Sequence, residues 1–79
     1  MVIRSKYSTY TSDMLKKEAT DLCRDYRRAG LTGMECCELL ELEHSDLVYE
    51  MNVMHISRAE CVREANKLND LEDKTKGDN

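Results

Sequence analysis

The chain has 79 residues, of which 41% are hydrophobic and 35% are charged, and it lacks proline, tryptophan and phenylalanine. A domain of this size buries only about 60% of its unfolded surface, so we expect one thin core without room for an enclosed substrate pocket. The composition excludes collagen-like, proline-rich and low-complexity classes, and no apolar run approaches the roughly 18 residues of a membrane span. Residues 1–4 do not resemble a signal peptide, and we expect a cytoplasmic protein.

The charge is unevenly distributed along the chain. Twelve basic and sixteen acidic residues give a net charge of −4. Residues 1–30 carry a net charge of +3, whereas residues 31–79 carry −7. This asymmetry predicts a charge-polarised surface of the kind that binds a partner, and a set of solvated helix faces is the alternative interpretation.

The first helix is predicted to start after a short arm. Residues 1–11 alternate weakly and are rich in Ser, Thr and Tyr, which indicates either a short strand or a flexible arm that a partner orders. From Ser12 onward apolar residues recur on one helical face. Ser12 or Asp13 is the expected N-cap, and Gly30 stands where a left-handed residue ends a helix. The apolar face comprises Leu15, Ala19, Leu22, Cys23, Tyr26 and Ala29.

Two capping boxes predict further helix starts. Thr32 precedes Glu35 by three residues. The Thr32 hydroxyl is therefore placed to accept from the Glu35 amide, while the Glu35 carboxylate accepts from the Thr32 amide. Ser57 and Glu60 repeat this spacing. The boxes therefore predict where the second and fourth helices begin.

The remaining boundaries follow from breaks in the apolar pattern. We expect the second helix to end near Leu42 and a short third helix to begin at residues 44–46 (His-Ser-Asp). The fourth helix is predicted to end near Leu71. Residues 72–79 contain no apolar residue and are typical of a disordered tail.

The predicted fold is all-α, a small helix-turn-helix-like bundle of three to four short helices. Residues 1–11 form a flexible N-terminal arm, residues 12–71 the helical domain and residues 72–79 a disordered C-terminal tail. So thin a core gains from self-association, and we include a homodimer among the expectations. Met34 is predicted to be exposed. The predicted core comprises Leu15, Ala19, Leu22, Cys23, Tyr26, Cys37, Leu40, Leu47, Val48, Met51, Cys61, Val62, Ala65 and Leu68.

Residues 31–50 resemble the helix-turn-helix pattern of small transcriptional regulators. In that family a Leu-Thr-x-x-Glu start leads into small apolar residues and Leu-Leu, and a turn and a second helix of Leu-Tyr character follow. This chain departs from the pattern at the turn glycine, which is Glu41 here. The helix that the resemblance would place in the major groove carries carboxylates and no Lys or Arg, so it is a poor reader of DNA. The matching residues are Leu31, Thr32, Glu35, Cys36, Cys37, Glu38, Leu39, Leu40, Leu47, Val48 and Tyr49.

The chain carries no recognisable catalytic or cofactor-binding motif, and we predict a non-enzymatic protein without a cofactor. Its four cysteines lack the short paired spacing of zinc ligands, so we predict reduced core thiols and no bound metal. Two disulfides, or a zinc site with His44 or His55, are the alternatives. The cysteines are Cys23, Cys36, Cys37 and Cys61.

Two surfaces are candidates for binding a macromolecule. The first, here called the acidic row, comprises Glu35, Glu38, Glu41, Glu43, Asp46 and Glu50. Such a row can dock on a basic protein surface, and a solvated helix face is the alternative interpretation. The second, here called the basic set, is the candidate for nucleic acid, and the arm adds two aromatic residues to it, Tyr7 and Tyr10. It comprises Arg4, Lys6, Lys16, Lys17, Arg24, Arg27 and Arg28.

These observations lead to one functional prediction and one alternative. We expect a small regulatory or interaction protein that binds a protein partner, and no membrane, through its charge-polarised surface. Its size and lack of motifs fit an accessory factor of a phage, plasmid, mobile element or bacterial regulatory system. The alternative is a helix-turn-helix-like DNA-binding regulator that uses the basic N-terminal half.

Overall fold

A computed structural model describes residues 6–77, with side chains as far as Asp73, and shows a bundle of four helices. α1 packs most extensively against α4, α2 contacts the three other helices, and α3 contacts α1 and α2. No strand occurs within the described residues, and the all-α prediction is confirmed. The helices are α1 (Ser12–Arg28), α2 (Gly33–Glu43), α3 (Ser45–Val53) and α4 (Arg58–Gly77).

The N-terminus of α1 is capped by a threonine. Thr11 has an extended backbone, and its Oγ1 accepts a hydrogen bond from the Met14 N–H at 3.2 Å. This corrects the expected cap at Ser12 or Asp13, both of which lie inside the helix. A threonine hydroxyl satisfies an N-terminal amide that would otherwise lack a partner.

α1 and α3 end in the same hydrogen-bond pattern. Gly30 follows α1 with φ 99°, and His55 follows α3 with φ 60°. In each case the N–H of the next residue donates to the carbonyl oxygen five positions back, at 3.1 Å after Gly30 and 2.8 Å after His55. This is the Schellman motif, whose left-handed position favours glycine. The prediction for Gly30 is confirmed, and His55 holds the same position at a steric cost.

The first capping box forms as predicted. The Glu35 N–H donates to Thr32 Oγ1 at 3.2 Å, and the Thr32 N–H donates to Glu35 Oε1 at 2.9 Å. These bonds favour the ionised carboxylate, so the pKa of Glu35 lies below its ordinary value. α4 begins directly after Ser57, whose carbonyl oxygen accepts from the Cys61 N–H at 3.4 Å. No side-chain hydrogen bond joins Ser57 to Glu60, both of which are described.

The core lies where the four helices meet and largely matches the prediction. Cys36, which is not in the predicted core, is fully buried. Cys37, Leu22 and Tyr26, which are in the predicted core, lie at the edge of the observed one. Leu68 is half-buried. The buried apolar residues are Tyr7, Leu15, Ala19, Cys23, Cys36, Leu40, Leu47, Val48, Met51, Cys61, Val62 and Ala65.

α1 begins at Ser12, where the sequence places the start of the helical domain, and the described residues outside that domain form a turn before it and a helical continuation after it. Residues 6–9 form a turn rather than a strand or a free arm. Tyr7 in this turn is only 6% exposed, and the centroids of the Tyr7 and Tyr10 rings lie 5.1 Å apart in an edge-on arrangement. α4 continues past Leu71 to Gly77, so residues 72–77 belong to the helix. Residues 1–5 and 78–79 of the predicted arm and tail lie outside the described part of the chain.

Candidate partner-binding surface

The acidic row lies on α2 and α3, and two of its members are engaged within the protein. Glu35 is held in the capping box by Thr32. Glu41 Oε2 accepts a hydrogen bond from Arg58 Nη1 at 3.1 Å, and the same guanidinium donates to the Cys37 carbonyl oxygen at 2.9 Å. Arg58 thus ties the start of α4 to the middle of α2. These two carboxylates have structural roles.

The other four carboxylates of the acidic row are available to a partner. Glu38, Glu43 and Asp46 are exposed and Glu50 is half-buried. None of the four forms a hydrogen bond or an ion pair with another residue of the described chain. No Lys or Arg occurs between Arg28 and Arg58 to compensate them. The α2–α3 segment therefore presents negative charge to solvent, with Lys6 beside it in a shallow pocket lined by Glu43 and Asp46.

The same segment exposes most of the large apolar side chains that face solvent. Seven such side chains are exposed in the described residues, and five of them lie between residues 34 and 54. Met34 is 74% exposed, which confirms its prediction. The others in this segment are Leu42 (79% exposed), Tyr49 (63%), Val53 (54%) and Met54 (45%). Clustered exposed apolar residues are typical of interaction sites, whereas isolated ones are ordinary. The sequence analysis did not single out Tyr49 and Val53 for this role.

The basic set behaves differently, because its arginines join α1 to α4. Arg24 Nη2 and Arg28 Nη2 both donate to Glu72 Oε2, each at 2.6 Å. Arg28 Nε also donates to Asn69 Oδ1 at 3.0 Å. We call this contact, together with the bonds of Arg27 described below, the arginine seam. The hydrogen bond from Arg24 and the charge of Arg28 lower the pKa of Glu72 below its ordinary value.

Arg27 completes the arginine seam. Its Nε donates to Asn66 Oδ1 at 2.9 Å, and its Nη1 donates to the Leu31 carbonyl oxygen at 2.7 Å. Asn66, Asn69 and Glu72 recur every three residues, so they project from one side of α4 toward α1. Three of the four arginines predicted for nucleic acid are therefore engaged within the protein, and the fourth, Arg4, lies outside the described residues.

The lysines on α1 lie beside the arginines. Lys16, which is half-buried, and Lys17 line a shallow pocket with Arg24, and Lys17 lines another with Arg24 and Arg28. Carboxylates line the same pockets, and Lys17 pairs with one of them, Asp21, at 2.8 Å.

The N-terminal members of the basic set lie apart from this group. Lys6 Nζ lies 4.9 Å from the centre of the Tyr7 ring, a cation–π contact. Arg4 lies outside the described residues. The structure thus groups the predicted basic residues of α1, but it does so among carboxylates and against α4.

The thiols are buried rather than poised for chemistry. Cys23, Cys36 and Cys61 are fully buried and Cys37 is half-buried, and all four are free. Burial, together with the neighbouring thiols, raises the pKa of Cys23 to about 12. Burial also raises the pKa values of Cys36 and Cys61. Such thiols are protonated at neutral pH and are poor nucleophiles. Within the described residues, no three His, Cys, Asp or Glu side chains converge as metal ligands.

The boundary between α2 and α3 lies at a different residue from the turn that the helix-turn-helix resemblance predicts. Glu41, which the resemblance places in the turn, lies inside α2. His44, with φ −134° and ψ 51°, is the sole non-helical residue between α2 and α3. The resemblance itself stays a prediction.

Comparison of the chain with protein-family models, with curated proteins and with solved structures gives no match in any of the three. In the described part of the chain, none of the helices combines the length and the apolar character that a membrane span requires.

Proposed function

We propose that the protein is a non-enzymatic interaction protein that binds a protein partner through the acidic row. The observation that carries the proposal is a set of four carboxylates that form no hydrogen bond or ion pair within the described residues: Glu38, Glu43, Asp46 and Glu50. The sequence between α1 and α4 contains no Lys or Arg, and Lys6 lines a shallow pocket with Glu43 and Asp46. Complementary charge accelerates encounter and selects among partners.

The partner of such a surface carries a positive patch. Nucleic acid and anionic membranes are repelled by a segment with six carboxylates and no Lys or Arg. A basic protein surface is attracted to it, and the exposed apolar side chains of the same segment add contact area once the charges have brought the two surfaces together.

The alternative, DNA binding through the basic N-terminal half, has weaker support. To contact phosphates, Arg24 and Arg28 would have to leave Glu72, to which each donates at 2.6 Å, and Arg27 would have to leave Asn66. Binding would then loosen the packing of α1 on α4. The alternative nevertheless makes a distinct prediction, namely an affinity that falls steeply with salt and depends on these arginines.

Capture of partners from a lysate of the native host, with and without nuclease, tests the proposal. We expect a stoichiometric protein that survives nuclease, and we expect Glu38→Lys/Glu43→Lys to lose it. Both residues are exposed, and a lysine at the last residue of α2 suits the helix dipole, so the fold is preserved.

The matched control is Asp70→Lys/Asp73→Lys on α4, which changes the net charge equally at two exposed positions. The control should retain the partner. Equal losses in the two variants would show that net charge alone governs capture and would contradict the proposal. Disappearance of every partner after nuclease would instead support the DNA-binding alternative.

A further inference from the structure

The outer side of α3 exposes two apolar side chains one helical turn apart. Tyr49 and Val53 are 63% and 54% exposed and lie four residues apart, so they are neighbours on the helix surface. Met54, 45% exposed, follows directly. α1 and the described part of α4 each expose only one large apolar side chain, Met14 and Leu71. The α3 pair is therefore a local feature of the fold and not a general property of its surface.

A row of carboxylates borders this apolar pair along one side. Asp46 lies three residues before Tyr49 and Glu50 lies three residues before Val53, and helix geometry makes each pair neighbours. The opposite side of α3, with Leu47, Val48 and Met51, is buried in the core. The outer side of α3 thus combines an apolar centre with an acidic border.

The charge of this border decides what can cover the apolar centre. A second copy that packed α3 antiparallel on α3 would place Asp46 and Glu50 against their own like charges, and one that packed it parallel would offer them no cation, because α3 contains no Lys or Arg. Pairing α3 with the arginines of another copy's α1 would remove those arginines from Glu72 and Asn66. An anionic lipid surface or a nucleic acid would meet the same repulsion.

We propose that the outer side of α3 binds a cationic amphipathic helix of a protein partner. Tyr49 and Val53 pack against the apolar side chains of that helix, while Asp46 and Glu50 pair with its Lys or Arg residues. α3 has nine residues, about 13 Å at the rise of an α-helix, so it spans two to three turns of the partner helix. This inference rests on the proposed function and specifies the chemistry of its partner.

A titration of the uniformly ¹⁵N-labelled full chain tests the inference. The probe is a synthetic amphipathic helical peptide of leucine and lysine, about 18 residues long. The control peptide has the same composition, with its residues reordered so that it has no apolar side. We expect amide shift changes concentrated between residues 46 and 54 with the first peptide and much weaker ones with the second. Shifts concentrated on α1 and α4, or equal responses to the two peptides, would overturn the inference.

Variants then separate the apolar from the charged contribution. Tyr49→Ser/Val53→Ser should weaken peptide binding about tenfold or more, because buried aromatic anchors dominate most interfaces. Met14→Ser, which removes an exposed apolar side chain from α1, should change the dissociation constant less than about twofold. The amide spectra of both variants show whether the fold is retained.

The outcomes distinguish this inference from the proposed function on which it rests. If Glu38→Lys/Glu43→Lys loses the native partner while Tyr49→Ser/Val53→Ser retains both partner and peptide, the acidic row binds the partner and the apolar inference is wrong. If neither variant affects capture of the native partner, both proposals are wrong. If both variants lose the partner while Met14→Ser retains it, both are supported.

Discussion

The two halves of this molecule use their charged residues in opposite ways. In the α1–α4 half, arginines and their acceptors lie on facing helices and bond to one another, as Arg24 and Arg28 do with Glu72, although the buried Arg24 Nε has no hydrogen-bond partner among the described residues. In the α2–α3 half, most carboxylates form no hydrogen bond or ion pair within the described part of the chain, and apolar side chains such as Leu42 and Tyr49 are exposed among them. A charged residue therefore points to a binding surface only after its contacts within the chain are known.

This difference changes the role assigned to the basic residues of the N-terminal half. Seven basic residues in the first 28 suggest a surface for phosphates. Three of them instead join α1 to a helix that begins thirty residues later. The acidic row has no comparable partner helix, because the sole described cation that bonds to it is Arg58, at Glu41.

The largest expected effect tests whether the two halves share one core. Leu15 on α1 and Leu47 on α3 are both fully buried. Replacing either with alanine removes buried apolar volume and should destabilise the protein by about 2–5 kcal/mol. Chemical denaturation followed by circular dichroism should show one cooperative transition in both variants. A variant that leaves the midpoint unchanged would show that its half does not belong to the common core.

A second matched pair concerns the helix ends. Gly30 ends α1 with φ 99°, so Gly30→Ala should destabilise the fold by about 1 kcal/mol. His55 ends α3 with φ 60°, and His55→Gly should stabilise it by up to about 1 kcal/mol, because glycine adopts this conformation without steric cost. Opposite shifts of the thermal midpoint are expected. Shifts of the same sign would contradict the assigned Schellman motifs.

The sequence predicts the local features of the fold well. Three of the helix boundaries follow from local signals, because caps and periodicity act within one or two turns. These signals are the period of the apolar residues, the glycine at position 30 and the capping box of Thr32 and Glu35. What the sequence misses is non-local. Tyr7 is buried because it packs with the core residues of the helices. Glu72 is hydrogen-bonded because arginines more than forty residues earlier in the chain lie opposite it on α1.

The candidate site follows the same rule. The sequence identifies the acidic row, but it cannot show that Glu41 is bonded to Arg58 while Glu38 forms no hydrogen bond within the described residues. The exposure of Tyr49 and Val53 depends on which side of α3 meets the core. That choice follows from Leu47, Val48 and Met51 being buried, which only the packed structure establishes.

A smaller effect concerns how the stability of the fold depends on acid pH, and each half contributes one carboxylate to it. The pKa values of Glu72 and Glu35 are lowered in the folded protein. The unfolded chain therefore takes up these protons at higher pH than the folded chain. The stability that the two carboxylates provide is complete above their ordinary pKa and is lost as the pH falls through their lowered values. Glu72→Gln and Glu35→Gln should each flatten the dependence of stability on pH below about 5.

Urea midpoints measured across this pH range check the expectation. A control variant, Glu38→Gln, alters an exposed carboxylate that has no hydrogen bond in the described chain. This control should change the dependence of stability on pH less than Glu72→Gln does. If Glu72→Gln and Glu38→Gln behaved alike, the arginine seam would contribute nothing to stability in solution.

The most direct test of the contrast between the two halves is urea unfolding of two single charge reversals, Glu72→Lys and Glu38→Lys. Both change the net charge equally, and both lie on the helix surface. Because Glu72 accepts from two arginines, its reversal should lower the unfolding midpoint clearly. Reversal of Glu38 should leave the midpoint unchanged or raise it slightly, since it relieves repulsion within the acidic row. Equal losses, or a larger loss at Glu38, would contradict the assignment of structural charges to one half and free charges to the other.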